Sequence, residues 1–407
     1  MSNQASTKER FPYGRTFLLA FGFFGISLIW PIFNNYVPIF LKGFGLSATL
    51  VGFVMTWDNY LNMFVQPIVG ERSDHTRTRL GRRKPWMLAG APLAAVFFVF
   101  IPAMRSVAAV MFAILLTNFG MALFRAPTVA LLGDVFPPHQ RSTANGVINF
   151  MGGVGAIVAF LVGGILYKLG RITPFAFGAV MMLISITLVV LFVREPEAPE
   201  EIPTEERMSF LDNLREVIQA SDRSGLYILL AILCWFIGYN AVETWLSSFG
   251  KFTLGIDEGR MSILTSGLAL MFVIFAIPSG LLATRFGRRK VILVGIGGLV
   301  LMFLYGMVVQ NEAMLIPLLV LAGVFWALIN VNSLPMVYDV GGDRRIGAFT
   351  GLYYLASNIA AVAGPQVVGF LIDASGENYR TMWLFGAIFM VLAGVLMLRV
   401  HEAEAKA

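Results

Sequence analysis

Three ionisable residues, Asp58, Arg125 and Glu243, sit inside long apolar runs of this 407-residue chain. An ionised group near the middle of a bilayer costs at least ~2.5–3.5 kcal/mol on insertion scales unless it is paired or hydrated. Groups held there against that cost are candidates for binding and releasing a proton, or for hydrogen-bonding a polar solute. Each belongs to a polar stripe at helical spacing: Asp58, Asn62 and Gln66 form one, Asn118, Met121 and Arg125 a second, and Asn240, Glu243, Thr244 and Ser247 a third. Polar stripes on otherwise apolar helices face a wet cavity rather than lipid.

Other chemistries find no support. HExxH, GxSxG and GxxxxGK[ST] patterns are absent, which removes the hydrolase and P-loop readings. The single cysteine, Cys234, excludes a disulfide within one chain and a thiolate metal cluster. His75, His139 and His401 all fall in polar loops or the tail. We therefore expect no metal and no cofactor. No nucleophile stands with a base to suggest an intramembrane enzyme.

The elements that must position these residues follow from composition. Hydrophobic residues make up 57% of the chain and charged residues only 13%, against about 25% charged in soluble proteins. Apolar runs long enough to cross a bilayer recur throughout. They predict an all-α membrane protein with spans at 16–41, 47–70, 85–104, 107–133, 143–169 and 172–193, then 226–250, 261–284, 291–309, 313–338, 347–374 and 379–400. The first run carries no small-residue cleavage site and reads as a retained span rather than a signal peptide. Residues 194–225 form a linker. Its first part is rich in Pro and Glu, and its second carries Phe210, Leu211, Leu214, Val217 and Ile218 on one face behind a capping Ser209. That pattern predicts an amphipathic helix on the membrane surface.

Cations set the expected orientation. Most Lys and Arg lie at the N-terminus, in the even-numbered loops, in the linker and in the tail; the other side holds Lys42, Arg105, Lys168, Arg171, Lys251, Arg260 and Arg380. The positive-inside rule then places both termini and the linker in the cytoplasm. The densest cluster, Arg72 to Lys84, is confined to a short loop between two spans, so nucleic acid is not an expected partner.

The chain also repeats itself. Gly-Arg-Arg-Lys occurs at 81–84 and again at 287–290, 206 residues later. Asp134-Val135 and Asp339-Val340 end the fourth and tenth spans, 205 residues apart, and each precedes a loop with arginine: Arg141 in one half, Arg344 and Arg345 in the other. This predicts two pseudo-symmetric six-helix bundles, 1–193 and 226–407, joined by the linker. Such an arrangement is that of an alternating-access transporter.

These residues resemble the major facilitator superfamily. Gly280 through Arg289 is similar to its loop motif G-x-x-x-D-R-x-G-R-R, with Thr284 where the acid is expected. In the first half, Val65-Gln66-Pro67, Gly70, Ser73-Asp74, Arg79, Gly81-Arg82-Arg83 and Pro85 resemble the longer loop of sucrose–proton carriers, with His75 replacing an arginine. Ala130-Leu131-Leu132, Asp134, Arg141, Ala144-Asn145, Phe150 and Gly155 are similar to the span 4–5 region of the same carriers. The melibiose-type carriers share the long arginine-rich loop. The chain also departs from these families. The acid that sucrose carriers hold nine residues before the span-4 proline, Pro127, falls on Asn118, and their arginine after it falls on Val129. The two acids that melibiose-type carriers hold in span 2 fall on Asn62 and Gln66.

Together these observations predict a monomeric, multi-pass carrier in the cell membrane that imports a sugar, a disaccharide or glycoside, with protons. Sodium is the alternative coupling ion, disfavoured because span 2 holds one acid. A proton-driven exporter of amphipathic compounds is a further alternative, suited by the 20 methionines and many phenylalanines. A transporter-fold sensor is disfavoured by the short linker and tail. Asp58 and Glu243 are the expected proton sites, and Arg125 is the expected counter-ion of Asp58. At 1.5 Å per residue the two lie about 18 and 13 Å from the inner ends of their spans, close enough to pair. Candidate solute contacts are Asn34, Asn35, Asp58, Asn62, Gln66, Asn118, Arg125, Tyr239, Asn240, Glu243, Trp245, Trp326, Asn330, Tyr354 and Asn358. Asp74, Arg82, Arg83, Asp134, Arg141, Arg285, Arg288 and Asp339 are expected at the cytoplasmic gate. Gly152, Gly153 and Gly155 read as helix packing.

Overall fold

In a lipid environment every backbone polar group must be satisfied within its own segment, and the chain meets that constraint with helices. The computed structural model describes residues 13–136, 138–196, 223–341 and 346–400; the surface helix expected at 209–218 lies outside them. The first half holds α1 (Tyr13–Gly43), α2 (Ala48–Met55), α3 (Trp57–His75), α4 (Lys84–Phe100), α5 (Val107–Val135), α6 (Pro138–Tyr167) and α7 (Thr173–Phe192). The second holds α8 (Ser224–Phe252), α9 (Glu258–Phe286), α10 (Arg288–Gly306), α11 (Glu312–Gly341), α12 (Ile346–Ala374) and α13 (Thr381–Leu398). Among the described residues, 11 helices are long and apolar enough to cross a membrane. The second expected span is not one helix but two, α2 and α3, meeting at Thr56.

The two halves pack by one scheme. In the first, α1 lies against α6 and α7, α5 against α3 and α4, and α4 against α7; in the second, α8 lies against α12 and α13, α11 against α9 and α10, and α10 against α13. The Gly-Arg-Arg-Lys twins occupy matching turns. Gly81 (φ 106°) and Gly287 (φ 89°) both adopt the left-handed backbone that other residues avoid. Arg289 then donates to the Met397 and Leu398 carbonyls at the end of α13.

The halves meet along α6–α9 and α2–α12, with α1 and α8 between them. At the end opposite the Gly-Arg-Arg-Lys turns they are joined tightly. The Asp373 carboxylate on α12 accepts the backbone N–H groups of Ala48 and Thr49, each at 2.8 Å, and the Thr49 hydroxyl at 2.6 Å. It therefore caps the N-terminus of α2 from the other half, where the helix dipole favours negative charge. Glycines let the backbones close: a Cβ on Gly52 would stand 2.7 Å from the Pro365 carbonyl oxygen, and one on Gly164 2.5 Å from that of Gly259. Lys42 bridges to Glu377 at 2.7 Å, an exposed pair of small energetic weight.

Toward the Gly-Arg-Arg-Lys end the halves part. The packing of α12 on α2 thins along α3. Phe64, Ile68, Phe150, Ile277 and Leu281 are exposed there.

Losing a cap of this kind costs about 1 kcal/mol, roughly fivefold in an equilibrium constant. Asp373→Ala should therefore raise the population open at this end by about fivefold. Spin labels at Leu50 and Gly376, in a Cys234→Ser background, would report it as a longer distance; an unchanged distribution would remove Asp373 from the closure.

Candidate functional site

A cavity of about 270 Å³ lies where α1 and α6 of the first half meet α8, α9 and α11 of the second. Asn34 and Trp30 from α1 and Glu243 and Tyr239 from α8 line it. Glu243 is exposed into this space. Among the described residues it has neither a hydrogen-bond nor an ion-pair partner. Tyr239 stacks on Trp326 of α11, with ring centroids 3.6 Å apart and planes 4° from parallel. Phe236 supports the Trp326 ring edge-on at 5.6 Å. The pair forms a rigid aromatic plate at the edge of the cavity. Pro31 on α1 also lines the cavity. It lacks an N–H, so the helix gives up one internal hydrogen bond beside the cavity.

The second group of polar residues lies on α3, α5 and α12, outside this cavity. Thr56 ends α2, and its hydroxyl donates to the Phe53 carbonyl at 2.9 Å rather than capping α3. Gln366 of α12 holds the break, donating to Thr56 Oγ1 at 2.9 Å and to the Tyr60 hydroxyl at 3.0 Å. Asp58 consequently sits in the first turn of α3, where the helix dipole favours a carboxylate. Asn59 donates to it at 3.1 Å. The stripe continues as expected, with Gln66 donating to Asn62 at 2.7 Å. Arg125 on α5 acts electrostatically on both Asp58 and Tyr354. The expected ion pair is absent, however: no Asp58–Arg125 contact lies within 4 Å. Asp58 and Gly70 share α3, so the expected depth of Asp58 stands; equal depth alone does not bring the two side chains within reach.

The charges at the Gly-Arg-Arg-Lys end form a cluster inside one half. Arg82 bonds to Asp134 at 2.6 Å, and Arg83 bonds to Asp134 at 2.9 Å and pairs with Asp74. The Arg83 guanidinium also donates to Ser73 at 2.5 Å, and its backbone N–H donates to Glu195 at 2.8 Å. The ends of α3, α5 and α7 are thus fastened to the start of α4. Burial pushes the Glu195 carboxyl above its ordinary range, against the pull of the Arg83 and Arg82 backbone N–H groups. Asp74, Arg82, Arg83 and Asp134 share this cluster, and among the described residues they pair only within the first half. Arg285 is exposed, with its guanidinium 5.3 Å from the Phe286 ring centre. Arg288 opens α10. The side chains of Arg141 and Asp339 lie outside the described residues.

Several expected solute contacts sit elsewhere. Trp245 is fully buried and donates to the Pro365 carbonyl at 3.0 Å, so it packs α8 on α12. Asn118 is 1% exposed, with both amide atoms buried and unpartnered. Helical spacing had aligned it with Arg125, but the packing face of α5 covers it. Asn35 reaches the cavity wall yet is 4% exposed and bonds at 3.4 Å to the Glu258 carbonyl across the halves. Asn240, Asn330 and Asn358 are half-buried and form no part of that wall. Tyr354 is 55% exposed on the open side. Sequence reasoning missed Gln366, Asp373 and Glu195. A lone amide in an apolar run, Gln366, was the available signal. Asp373 and Glu195 sit at span ends, where an acid ordinarily means only a helix boundary.

Comparison with known proteins places this geometry. The chain is 22% identical over 400 residues to the isoprimeverose transporter of Lactiplantibacillus pentosus, covering 91% of this chain and 82% of that protein. It is 21% identical over 402 residues to the quinolone resistance protein NorA of Staphylococcus aureus, covering 94% and 95%. Among solved structures, a bacterial homologue of the human lysosomal transporter Spinster, inward-facing and occupied, superposes with a TM-score of 0.76 at 14% identity, over 97% of this chain and 98% of that one. The family model of the Major Facilitator Superfamily matches residues 17–260 and 251–407. With its two matching six-span halves and a cavity between them, the chain belongs to the Major Facilitator Superfamily and is a membrane transporter, not an enzyme.

Proposed function

We propose that the protein is a proton-coupled symporter of a sugar, working by alternating access in the cell membrane as a monomer with both termini in the cytoplasm. The observation that carries this reading is the Tyr239–Trp326 plate beside Asn34 and the unpartnered Glu243. A pyranose ring offers an apolar C–H face to such a plate and hydroxyls to the amide and carboxylate at its edge. Pockets of this kind bind small solutes through aromatic walls and a few placed polar groups. Asp58 supplies the proton site in the other half. Its carboxylate is held by a helix N-terminus and by the field of Arg125, without a locked ion pair. Protonating Asp58 would remove the charge beside Arg125 and shift the balance between the two conformations, linking proton and solute binding. With the positive-inside orientation, the present form is closed outward and parted toward the cytoplasm.

A second reading, a proton-driven exporter of amphipathic compounds, has its own support in the largely apolar cavity wall and in the likeness to a quinolone resistance protein. Direction of transport separates the two. In proteoliposomes with an imposed pH gradient, the symporter accumulates sugar on the acid-to-alkaline route, whereas the exporter drives solute against it.

Asp58→Asn should abolish uphill accumulation while leaving counterflow exchange intact. Accumulation that persisted in this variant would remove Asp58 from coupling, and dependence on sodium rather than pH would replace the proton with sodium.

Trp326→Ala removes half of the aromatic plate. It should weaken sugar binding about tenfold, the equivalent of about 1.4 kcal/mol, as read by calorimetry on reconstituted protein. An unchanged Kd would exclude the plate from the site.

A further inference from the structure

The walls of the cavity are chemically divided. Its free polar groups stand on α1 and α8: Asn34 and Glu243, with the Trp30 indole N–H and the Ser247 hydroxyl both buried and unpartnered. The lining from α6 and α9 differs: Ala156 and Phe160 on one, Leu268, Ala269, Phe272 and Val273 on the other. Its one polar group, the Thr265 hydroxyl, is already spent on the Met261 carbonyl at 2.9 Å. Leu299, Phe303, Leu318 and Leu319 add apolar lining, with Trp383 beside Phe303 and its indole N–H buried and unpartnered.

This division bears on what the sugar carries. A second sugar ring would press several hydroxyls against the α6–α9 wall, where no donor or acceptor is free to receive them. Buried polar groups without partners are strongly disfavoured, whereas apolar groups there gain by leaving water. We propose that the solute is an amphipathic glycoside: one sugar ring held by α1, α8 and the Tyr239–Trp326 plate, and an apolar alkyl or aryl aglycone lying against α6 and α9. The assignment rests on the sugar reading above and names the half of the ligand that the reading leaves open.

The test uses the full-length protein in proteoliposomes freed of glycoside detergent. Binding of methyl, butyl and phenyl glucosides and galactosides is measured beside cellobiose, lactose, butanol and phenol. Butyl and phenyl glycosides should bind about tenfold or more tightly than the methyl glycoside of the same sugar, and more tightly than the disaccharides. Ala269→Phe, which fills the apolar wall, and Leu268→Asn, which makes it polar, should each collapse the butyl-to-methyl ratio toward unity. The ratio is read within each variant, so a general loss of affinity does not imitate the effect. If either variant fails to fold, the wild-type series and the other variant still decide. Glycosides that bind with no gain from the tail would overturn this proposal and leave the sugar reading standing. A tail gain that survives in both variants would overturn the placement on α6 and α9. Butanol and phenol binding as well as their glycosides, or no glycoside binding at all, would overturn the sugar reading and this proposal with it.

Discussion

The carboxylate of Asp373 seated on the first N–H groups of α2 is the contact on which the remaining architecture depends. It comes from the other half of the molecule, so it joins the halves and completes a helix end at once. Two turns earlier on the same helix α12, Gln366 reaches Thr56 and Tyr60 at the break between α2 and α3. The backbone at the break is satisfied locally, as the bilayer demands: the Thr56 N–H donates to the Phe53 carbonyl, and the Asn59 and Tyr60 N–H groups donate to the Thr56 carbonyl. Closing one end in this way lets the other end part and encloses the cavity between. The joint combines these polar contacts with close, glycine-lined packing of α2 on α12. Hydrogen bonds to a charged group contribute about 1.5–3 kcal/mol each when buried and less at a partly exposed site such as this.

The break also determines how charge is carried in the first half. In an unbroken span, Asp58 would sit mid-helix with every nearby N–H already bonded. At the start of α3 it lies at the positive end of a helix dipole. Arg125 adds its field from α5 without an ion pair. A locked buried pair is costly to open, because breaking it leaves an uncompensated charge. A carboxylate held by a helix end and a distant guanidinium can change its proton occupancy without that cost.

Much of this was legible before any coordinates. The twelve spans, the two halves and the twin Gly-Arg-Arg-Lys turns follow from apolar run length and internal repetition, which are local properties. Glu243, Tyr239, Trp326 and Asn34 were legible because a polar or aromatic residue at helical spacing in an apolar run has few places to point. Trp245 and Asn118 show where that reasoning fails. Periodicity identifies a face of a helix, but neighbouring helices decide whether that face meets a cavity or another helix. The break at Thr56 was hidden for a related reason. Its cause, Gln366, lies 310 residues away, and no local breaker such as glycine or proline marks the position. Gly81 and Gly287 are the converse case: a single backbone angle, needed in both halves, explains why the motif keeps its glycine.

The arginine cluster has a different role from the one its position suggests. A gate formed by charges would link the halves at the Gly-Arg-Arg-Lys end, yet Arg83 spends its donors on Ser73, Asp74 and Asp134, all within the first half. Arg289, its repeat partner, spends two donors on the end of α13 within the second. Each arginine fastens the ends of several helices and makes its half behave as one body. Alternating access requires this asymmetry: strong polar fastening inside each half, and few, breakable contacts between them. If the same arginines bridged the halves, rocking would have to strip buried guanidinium groups of their carboxylates in every cycle. Among the described residues, the contacts between the halves lie along α2–α12, α6–α9 and α1–α8, away from these arginines.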